Sequence, residues 1–271
     1  MMSFQPVVPL TGYVGWRFLE RTLEPQQAAF AKSQPVVRAT DYFRENIGNV
    51  TSAADLVNDR RLLSVALGAF GLDDDINNRF FIRKVLEDGT IKDDALANRL
   101  ADNRYAEFSR AFGFGDRPVP RTILSGFASE MTTRYEKRQF ERAVGVQNND
   151  LRLALNLQSG IADIVSRNSS DGAQWFSMMG NTPLRKVFET ALGLPASIAS
   201  IDIDKQRDIF KSRAQANFGT QTMADFSDPA QQEKLIRMFL VRSEASQSAA
   251  LSGASAALSL LQSMPRVGRL A

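Results

Sequence analysis

The side chains that could do chemistry in this sequence are carboxylates, amines, guanidinium groups and hydroxyls, because it contains no histidine and no cysteine. Histidine is the commonest general base and metal ligand, so Ser–His–Asp and Cys–His constellations are excluded. The lack of cysteine excludes thiolate nucleophiles, disulfides, zinc ribbons and iron–sulfur ligation. No Ser-x-x-Lys stands in a nucleophile turn, and paired carboxylates have no recognisable spacing. We therefore predict that the chain is not an enzyme and has no catalytic residue, with carboxylate chemistry unsupported rather than excluded.

Two short motifs suggest a metal or cofactor at first sight. A calcium loop starting at Asp73 would need glycine at its sixth place and a carboxylate at its twelfth, where Asn78 and Lys84 stand. The acidic run 73–75 fits the N-terminal end of a helix better. The segment 113–115 (Gly-Phe-Gly) lacks the third glycine of a dinucleotide loop, and no strand precedes it. The sequence thus predicts no metal site and no cofactor.

The charge pattern argues against nucleic acid as a partner. The formal net charge is only +3, and basic residues alternate with acids, most clearly over residues 134–142. On a helix this spacing gives ion pairs on a solvated face, which we prefer to a nucleic-acid patch. No window approaches the roughly 18 apolar residues of a spanning helix, and the N-terminus lacks a signal peptide. We expect no membrane insertion and a cytoplasmic, soluble protein as synthesised.

Helical periodicity runs through most of the chain, whereas alternating strand patterns are nearly absent. This predicts an all-α, multi-helix globular fold, with two similar helical lobes joined by long central helices as one arrangement. The expected divisions are an N-terminal segment and first helix, a first lobe, central helices, a second lobe and an Ala/Ser-rich tail that is helical or partly disordered. In the same order they cover 1–36, 37–115, 116–168, 169–242 and 243–271.

Individual helices can be placed from their caps and apolar faces. Pro25 is expected to kink or restart the first helix. Farther along the chain, a helix should begin at residues 73–75, with Phe80 and other apolar residues facing the core. The Gly- and Pro-rich stretch 113–120 should be a linker, followed by a long helix from Arg121 to about Val144 with Leu124 on its buried face.

Two segments resemble each other. Residues 59–72 and 181–194 each read as a capped amphipathic helix that ends in Gly-Leu and precedes a second amphipathic helix. One explanation is a duplication that gives two similar lobes. The alternative is that all capped amphipathic helices look alike.

The surfaces predicted to contact other proteins lie near the two ends of the chain. Trp16 stands in the first helix, and the tail carries a narrow apolar stripe. Such a helix is marginal alone and would be stabilised by a partner helix, unless it packs back on the body. The predicted interaction residues are Trp16, Leu251, Leu258 and Leu261.

Several longer stretches resemble a known family. They are residues 40–47, 59–62, 81–87, 100–105 and 235–242. In these the sequence resembles the bacterial domain-of-unknown-function family numbered 1217, whose members are often encoded among flagellar genes. The likeness covers residues 10 to 245 approximately. It implies a flagellum-associated protein with other flagellar proteins as partners and no established catalytic residues.

Three functions remain open at this point. The first is a non-enzymatic structural or adaptor protein of the flagellar system, which could be exported to the flagellum without a cleaved signal. The second is a cytoplasmic export chaperone or regulator. The third, least favoured, is an enzyme that uses carboxylates alone. The sequence fixes neither a partner's identity nor the oligomeric state.

Overall fold

A computed structural model describes residues 4–167 and 170–263, with side chains described up to residue 249. In these residues the chain forms thirteen α-helices and five short 3₁₀ helices, with no strand, so the predicted all-α class is confirmed. None of the helices in this described part is long and apolar enough to cross a membrane. The α-helices are α1 Gly12–Ala31, α2 Gln34–Asn46, α3 Ala53–Asn58, α4 Arg60–Phe70, α5 Arg79–Asp88, α6 Leu96–Arg99, α7 Arg104–Phe112, α8 Phe127–Gln147, α9 Asn149–Arg167, α10 Asp171–Met179, α11 Thr182–Leu192, α12 Ile203–Phe218 and α13 Pro229–Ser263.

The buried apolar side chains form two cores. The first core lies among α2–α7 and the start of α8, and the second lies among α1, the end of α8 and α9–α13. Helix α8 belongs to both, because Phe127 and Met131 enter the first core while Phe140 and Val144 enter the second. Tyr135, midway along the helix, is half-buried against both cores. A single continuous helix therefore joins the two halves of the molecule.

Helices α4 and α11, which the sequence predicted as a similar pair, have the same caps in the structure. Asp59 and Asn181 accept backbone N–H bonds at their N-termini. Each helix has eleven residues and ends at a left-handed glycine, Gly71 with φ 69° and Gly193 with φ 67°. Only glycine adopts this conformation without strain, and it lets the chain turn back sharply after the helix.

The similarity extends to the order and packing of whole elements. Helix α4 packs on α2, α3 and α8, and α11 packs on α9, α10 and α13. We call α2–α8 the first unit and α9–α13 the second unit. A 3₁₀ helix follows α4 and α11, at Asp73–Asn77 and Ala196–Ser200, and another precedes α8 and α13, at Arg121–Ile123 and Met223–Ser227. The short helices α6 and α7 have no counterpart in the second unit. The shared order favours duplication over chance likeness of two helices.

Three local expectations were wrong. The acidic run 73–75 forms a separate 3₁₀ turn, so α5 begins only at Arg79. Phe80 then lies two positions from the buried Ile82, about 200° around the helix, and is 85% exposed. Of the two outcomes expected at Pro25, a kink or a restart, the restart is wrong, because helix α1 runs through this residue.

The long central helix also begins later than expected. Residues Arg121–Ile123 form a 3₁₀ turn held by Thr122, whose hydroxyl donates a 2.6 Å hydrogen bond to the carbonyl of Val50. Helix α8 starts after Gly126, which leaves Leu124 exposed in the connection. A contact to a distant carbonyl therefore shortens the helix at its N-terminal end.

The alternating charges of 134–142 do not form a purely solvated face. Arg134 pairs with Asp163 on α9 at 3.0 Å and lies 4.8 Å from the ring centroid of Phe70 on α4. Arg142 pairs with Asp73 at 2.8 Å. This face of α8 therefore packs on the first unit and is joined to the second unit through Arg134 and Asp163, so only part of it faces solvent.

Candidate interaction site at the α1–α13 junction

Trp16, predicted as an interaction residue, is only 1% exposed. Its ring packs in the second core, and its indole Nε1 donates a 3.2 Å hydrogen bond to Oε2 of Glu233 on α13. The apolar face of α1 that suggested a contact surface is thus covered by the chain itself. Trp16 has a packing role, and the prediction of an exposed contact at this side chain needs correction.

Glu233 connects α1 to α13. Its Oε1 accepts a 2.5 Å hydrogen bond from the Tyr13 hydroxyl and lies 3.6 Å from the Arg17 guanidinium. The hydrogen bond to the Glu233 carboxylate is the main cause of a raised pKa of Tyr13, and burial of the hydroxyl is the second cause. Glu233 stands 217 residues from Trp16 in a polar stretch, so no sequence signal pointed to it.

A second set of contacts holds α13 where it leaves the core. The hydroxyl of Ser243 donates to Oδ2 of Asp150 at 2.6 Å, and Gln247 Nε2 donates to the same oxygen at 2.9 Å. Gly12, with φ +60°, lies so close to Glu244 that a Cβ there would be 2.0 Å from Oε1 of that carboxylate. These contacts fix the direction in which the helix continues.

Beyond Ser243, α13 continues away from the buried core. Residues 244–249 are all exposed, and the helical backbone runs on to Ser263. Twenty further helical residues correspond to roughly 30 Å at the usual rise. We call residues 244–263 the α13 extension. The side chains of Leu251, Leu258 and Leu261 lie outside the described residues, so their prediction as contact residues stays a prediction.

The elements of this junction also carry exposed apolar side chains. Leu10 precedes α1, Val14 lies in its first turn, and Val241 stands two residues before Ser243. Single exposed apolar residues are ordinary on protein surfaces. Here they accompany the exposed residues 244–249, which makes the junction the strongest candidate for contact with another protein.

Two of the three carboxylates of the 73–77 turn make contacts within the chain. Asp73 accepts hydrogen bonds from Gln139 at 2.7 Å and from Arg142 at 2.8 Å. Asp75 accepts from the Tyr105 hydroxyl at 2.7 Å, and burial together with this bond raises the pKa of Tyr105. The described residues contain no group of three or more carboxylates placed so that they could hold a metal ion. The turn joins α4 to α7 and α8.

A large central part of the chain matches a known family. Residues 69–231 match the family described as "Protein of unknown function (DUF1217)", which is more than half of the 271 residues. The chain belongs to the DUF1217 family. The matched region runs from the end of α4 into the first turn of α13. It leaves outside α1–α3, most of α4 and all of α13 beyond its first turn.

The DUF1217 chain is also similar to a protein of solved structure. It shares 28% identity and a TM-score of 0.70 with protein AGR_C_984 from Agrobacterium tumefaciens, whose X-ray crystal structure covers 89% of this chain. The alignment takes in 98% of the Agrobacterium chain. No curated protein matches the sequence.

Proposed function

We propose that this chain is a non-enzymatic structural or adaptor protein of the bacterial flagellar system, acting through contacts made by the α13 extension. The observation that carries the proposal is the exposure of residues 244–249 at the start of a helix that continues to Ser263. An isolated helix of this length is marginal in water, so a second surface would stabilise it. The flagellar setting rests on the family resemblance.

The two-unit organisation supports a helical body as the partner. Helix α8 packs on α4 and then continues out of its own unit to pack against α1 and α9. Helix α13 occupies the same place in the second unit, where it packs on α11. By this equivalence, the extension corresponds to the part of α8 that packs on the next helices. Other flagellar proteins with helical surfaces are the partners we expect.

Truncation after Ser243 tests the proposal. Because the last large buried apolar side chains of α13 are Phe239 and Leu240, the shortened protein should keep its thermal unfolding midpoint. In motile bacteria the truncated protein should lose its co-purifying partners and reduce swimming. Ile203→Ser, at an exposed site on α12, is the matched control and should leave both unchanged. Unchanged motility and unchanged partners after truncation would overturn the assignment.

Fractionation distinguishes the adaptor from a cytoplasmic helper. A structural or adaptor protein should appear in purified filament–basal-body preparations, including in strains that lack any cleaved-signal export. A chaperone or regulator should remain in the cytosol and bind its partners only before their export. Recovery in the cytosolic fraction alone would replace the first assignment with the second.

A further inference from the structure

The two units meet at a cleft of about 510 Å³ that the proposed function does not use. Its walls are the C-terminal end of α4 with the following turn, α8, α9, and the N-terminal turn of α11. Clefts of this size between packed units commonly hold small ligands. Five cationic side chains line it, against three acidic ones. The cations are Arg104, Arg138, Arg142, Arg152 and Lys186.

Three of these cations are paired with carboxylates. Arg104 pairs with Asp102 at 2.7 Å, Arg138 with Oε2 of Glu141 at 2.9 Å, and Arg142 with Asp73 at 2.8 Å. Among the residues that the structure describes, Arg152 and Lys186 have no such ion pair. Asp74 is the remaining acidic side chain of the lining, so the positive charge in excess lies at two side chains, one on α9 and one on α11, with one carboxylate left beside them.

Arg152 is held at the cleft by neutral contacts. Its Nε and Nη2 donate to Oδ1 of Asn149 at 2.9 and 2.7 Å. Burial lowers the pKa of Arg152, the nearby Glu141 carboxylate raises it in part, and the charges of Arg104 and Arg138 lower it further. An anion bound beside Arg152 would oppose the burial and the repulsion from these two arginines.

Gly145 makes room for this arginine. A Cβ at position 145 would lie 2.5 Å from Cδ of Arg152, so any larger residue there would displace the arginine side chain from this place against α8. Glycine inside a helix costs about 1 kcal/mol relative to alanine. Helix α8 is therefore less stable at Gly145 than it would be with alanine, and the space left by this glycine keeps Arg152 in place.

Within the described part of the chain, two buried acceptors in the same cleft have no donor. Glu141 and Asn156 are each 3% exposed. Oε1 of Glu141 and Oδ1 of Asn156 accept no hydrogen bond, although both side chains line the cleft. Buried polar atoms are normally satisfied, because leaving one unpaired costs about 1–3 kcal/mol. Unpaired acceptors beside unpaired cations call for a ligand with both an anionic group and donors.

We propose that the cleft binds a small organic anion that also carries hydrogen-bond donors. Its anionic group lies at Arg152 and Lys186, and its donors reach Glu141 Oε1 and Asn156 Oδ1. The N-terminal turn of α11, capped by Asn181, adds its positive end to the anion side. Amino acids and sugar phosphates share this chemistry, the first through an ammonium group and the second through hydroxyls.

Isothermal titration calorimetry on the full chain tests the proposal at low salt. The probes are the common L-amino acids, glucose 6-phosphate and fructose 6-phosphate, with inorganic phosphate as the ion control. We expect saturable one-to-one binding of a member of one panel. Arg152→Met and Lys186→Met should each weaken it about tenfold or more, because each removes a charge-assisted hydrogen bond. Arg213→Met, at an exposed arginine on α12 outside the cleft, should bind like the wild type.

Glu141→Gln separates the two ligand sources. Loss of its charge should weaken an ammonium ligand about tenfold and a hydroxyl ligand less than about threefold. Circular dichroism melts establish that each variant folds. Lys186 is exposed, so its variant remains a valid test should Arg152→Met unfold.

Three results would overturn the inference. They are no saturable binding of any probe at millimolar concentration, equal affinity of the wild type and the Lys186 variant, or inorganic phosphate binding as tightly as the organic probes. The last outcome means an adventitious ion only. None of them bears on the α13 extension, so the two proposals fail separately.

Discussion

Asp59, the N-terminal cap of α4, makes three hydrogen bonds that one substitution removes. Its Oδ1 accepts from the backbone N–H groups of Arg61 at 2.9 Å and Leu62 at 3.0 Å, and its Oδ2 accepts from the Tyr42 hydroxyl at 2.7 Å. Loss of an N-cap costs about 1 kcal/mol. Because the Tyr42 contact is partly solvated, Asp59→Ala should lower the free energy of unfolding by about 1–2 kcal/mol at neutral pH.

The pH dependence of this contribution follows from the direction of the pKa shift. Burial raises the pKa of Asp59, but the hydrogen bonds from Leu62, Tyr42 and Arg61 together lower it below its ordinary value. A lowered folded-state pKa gives stability that is present above the unfolded-state pKa of about 3.9 and is lost as pH falls through the folded-state value. Asp59→Asn keeps a good cap but does not titrate. Its difference in unfolding free energy from the wild type should therefore shrink as pH falls from about 5 to about 2.

Urea unfolding across this pH range measures the difference directly. The second unit supplies a matched control, because α11 is capped by Asn181, whose Oδ1 accepts the Leu184 N–H at 3.2 Å. Asn181→Asp should acquire a dependence on pH that the wild-type cap lacks. If Asp59→Ala and Asp59→Asn lose the same free energy, or if the gap to the wild type is constant with pH, the capping argument is wrong.

Three further experiments test particular contacts. Phe80→Ser should change the free energy of unfolding by less than about 0.5 kcal/mol, whereas Ile82→Ala should lower it by about 2–5 kcal/mol. Equal losses in chemical denaturation would contradict the orientation of α5. Gly12→Ala should lower the free energy of unfolding by more than about 1 kcal/mol, because of the positive φ at this position and the clash with Glu244. In a double-mutant cycle, Glu244→Ala should recover part of that loss. Additive effects of the two substitutions would rule the contact out. Arg242→Met should lower the melting temperature by a few degrees, because Nη1 of Arg242 donates a 2.6 Å hydrogen bond to the Ala191 carbonyl near the end of α11. An unchanged melting temperature would show that this bond does not stabilise the fold.

Local sequence signals were sufficient to place the helices that have a capping residue at one end and a glycine at the other. Helix α4 was predictable because Asp59 caps it, Gly71 ends it, and the apolar period between them is unbroken. The same signals predicted α11. Where a 3₁₀ turn intervened the period shifted, and Phe80 was assigned to the wrong face. No local pattern distinguishes a helical start from a 3₁₀ turn whose stability comes from a distant carbonyl, as at Thr122.

The sites were harder to predict because they combine distant segments. Trp16 was expected at a surface, but the carboxylate that covers it comes from the last helix. The cleft brings together Glu141, Asn156 and Lys186 from three helices, and each reads in the sequence as an ordinary polar position. Only the packing of the two units reveals the unpaired acceptors.

The sharing of α8 by both cores has a consequence for how the molecule unfolds. A break in the first core frees Phe127 and Met131, and the helix that frays also carries Phe140 and Val144 into the second core. Neither half can therefore melt without loosening the other. The protein should lose its structure in one cooperative transition despite its repeated architecture. A fragment that ends before α8, or one that begins after it, should not fold by itself, and the shortest autonomous piece of either half must include this helix.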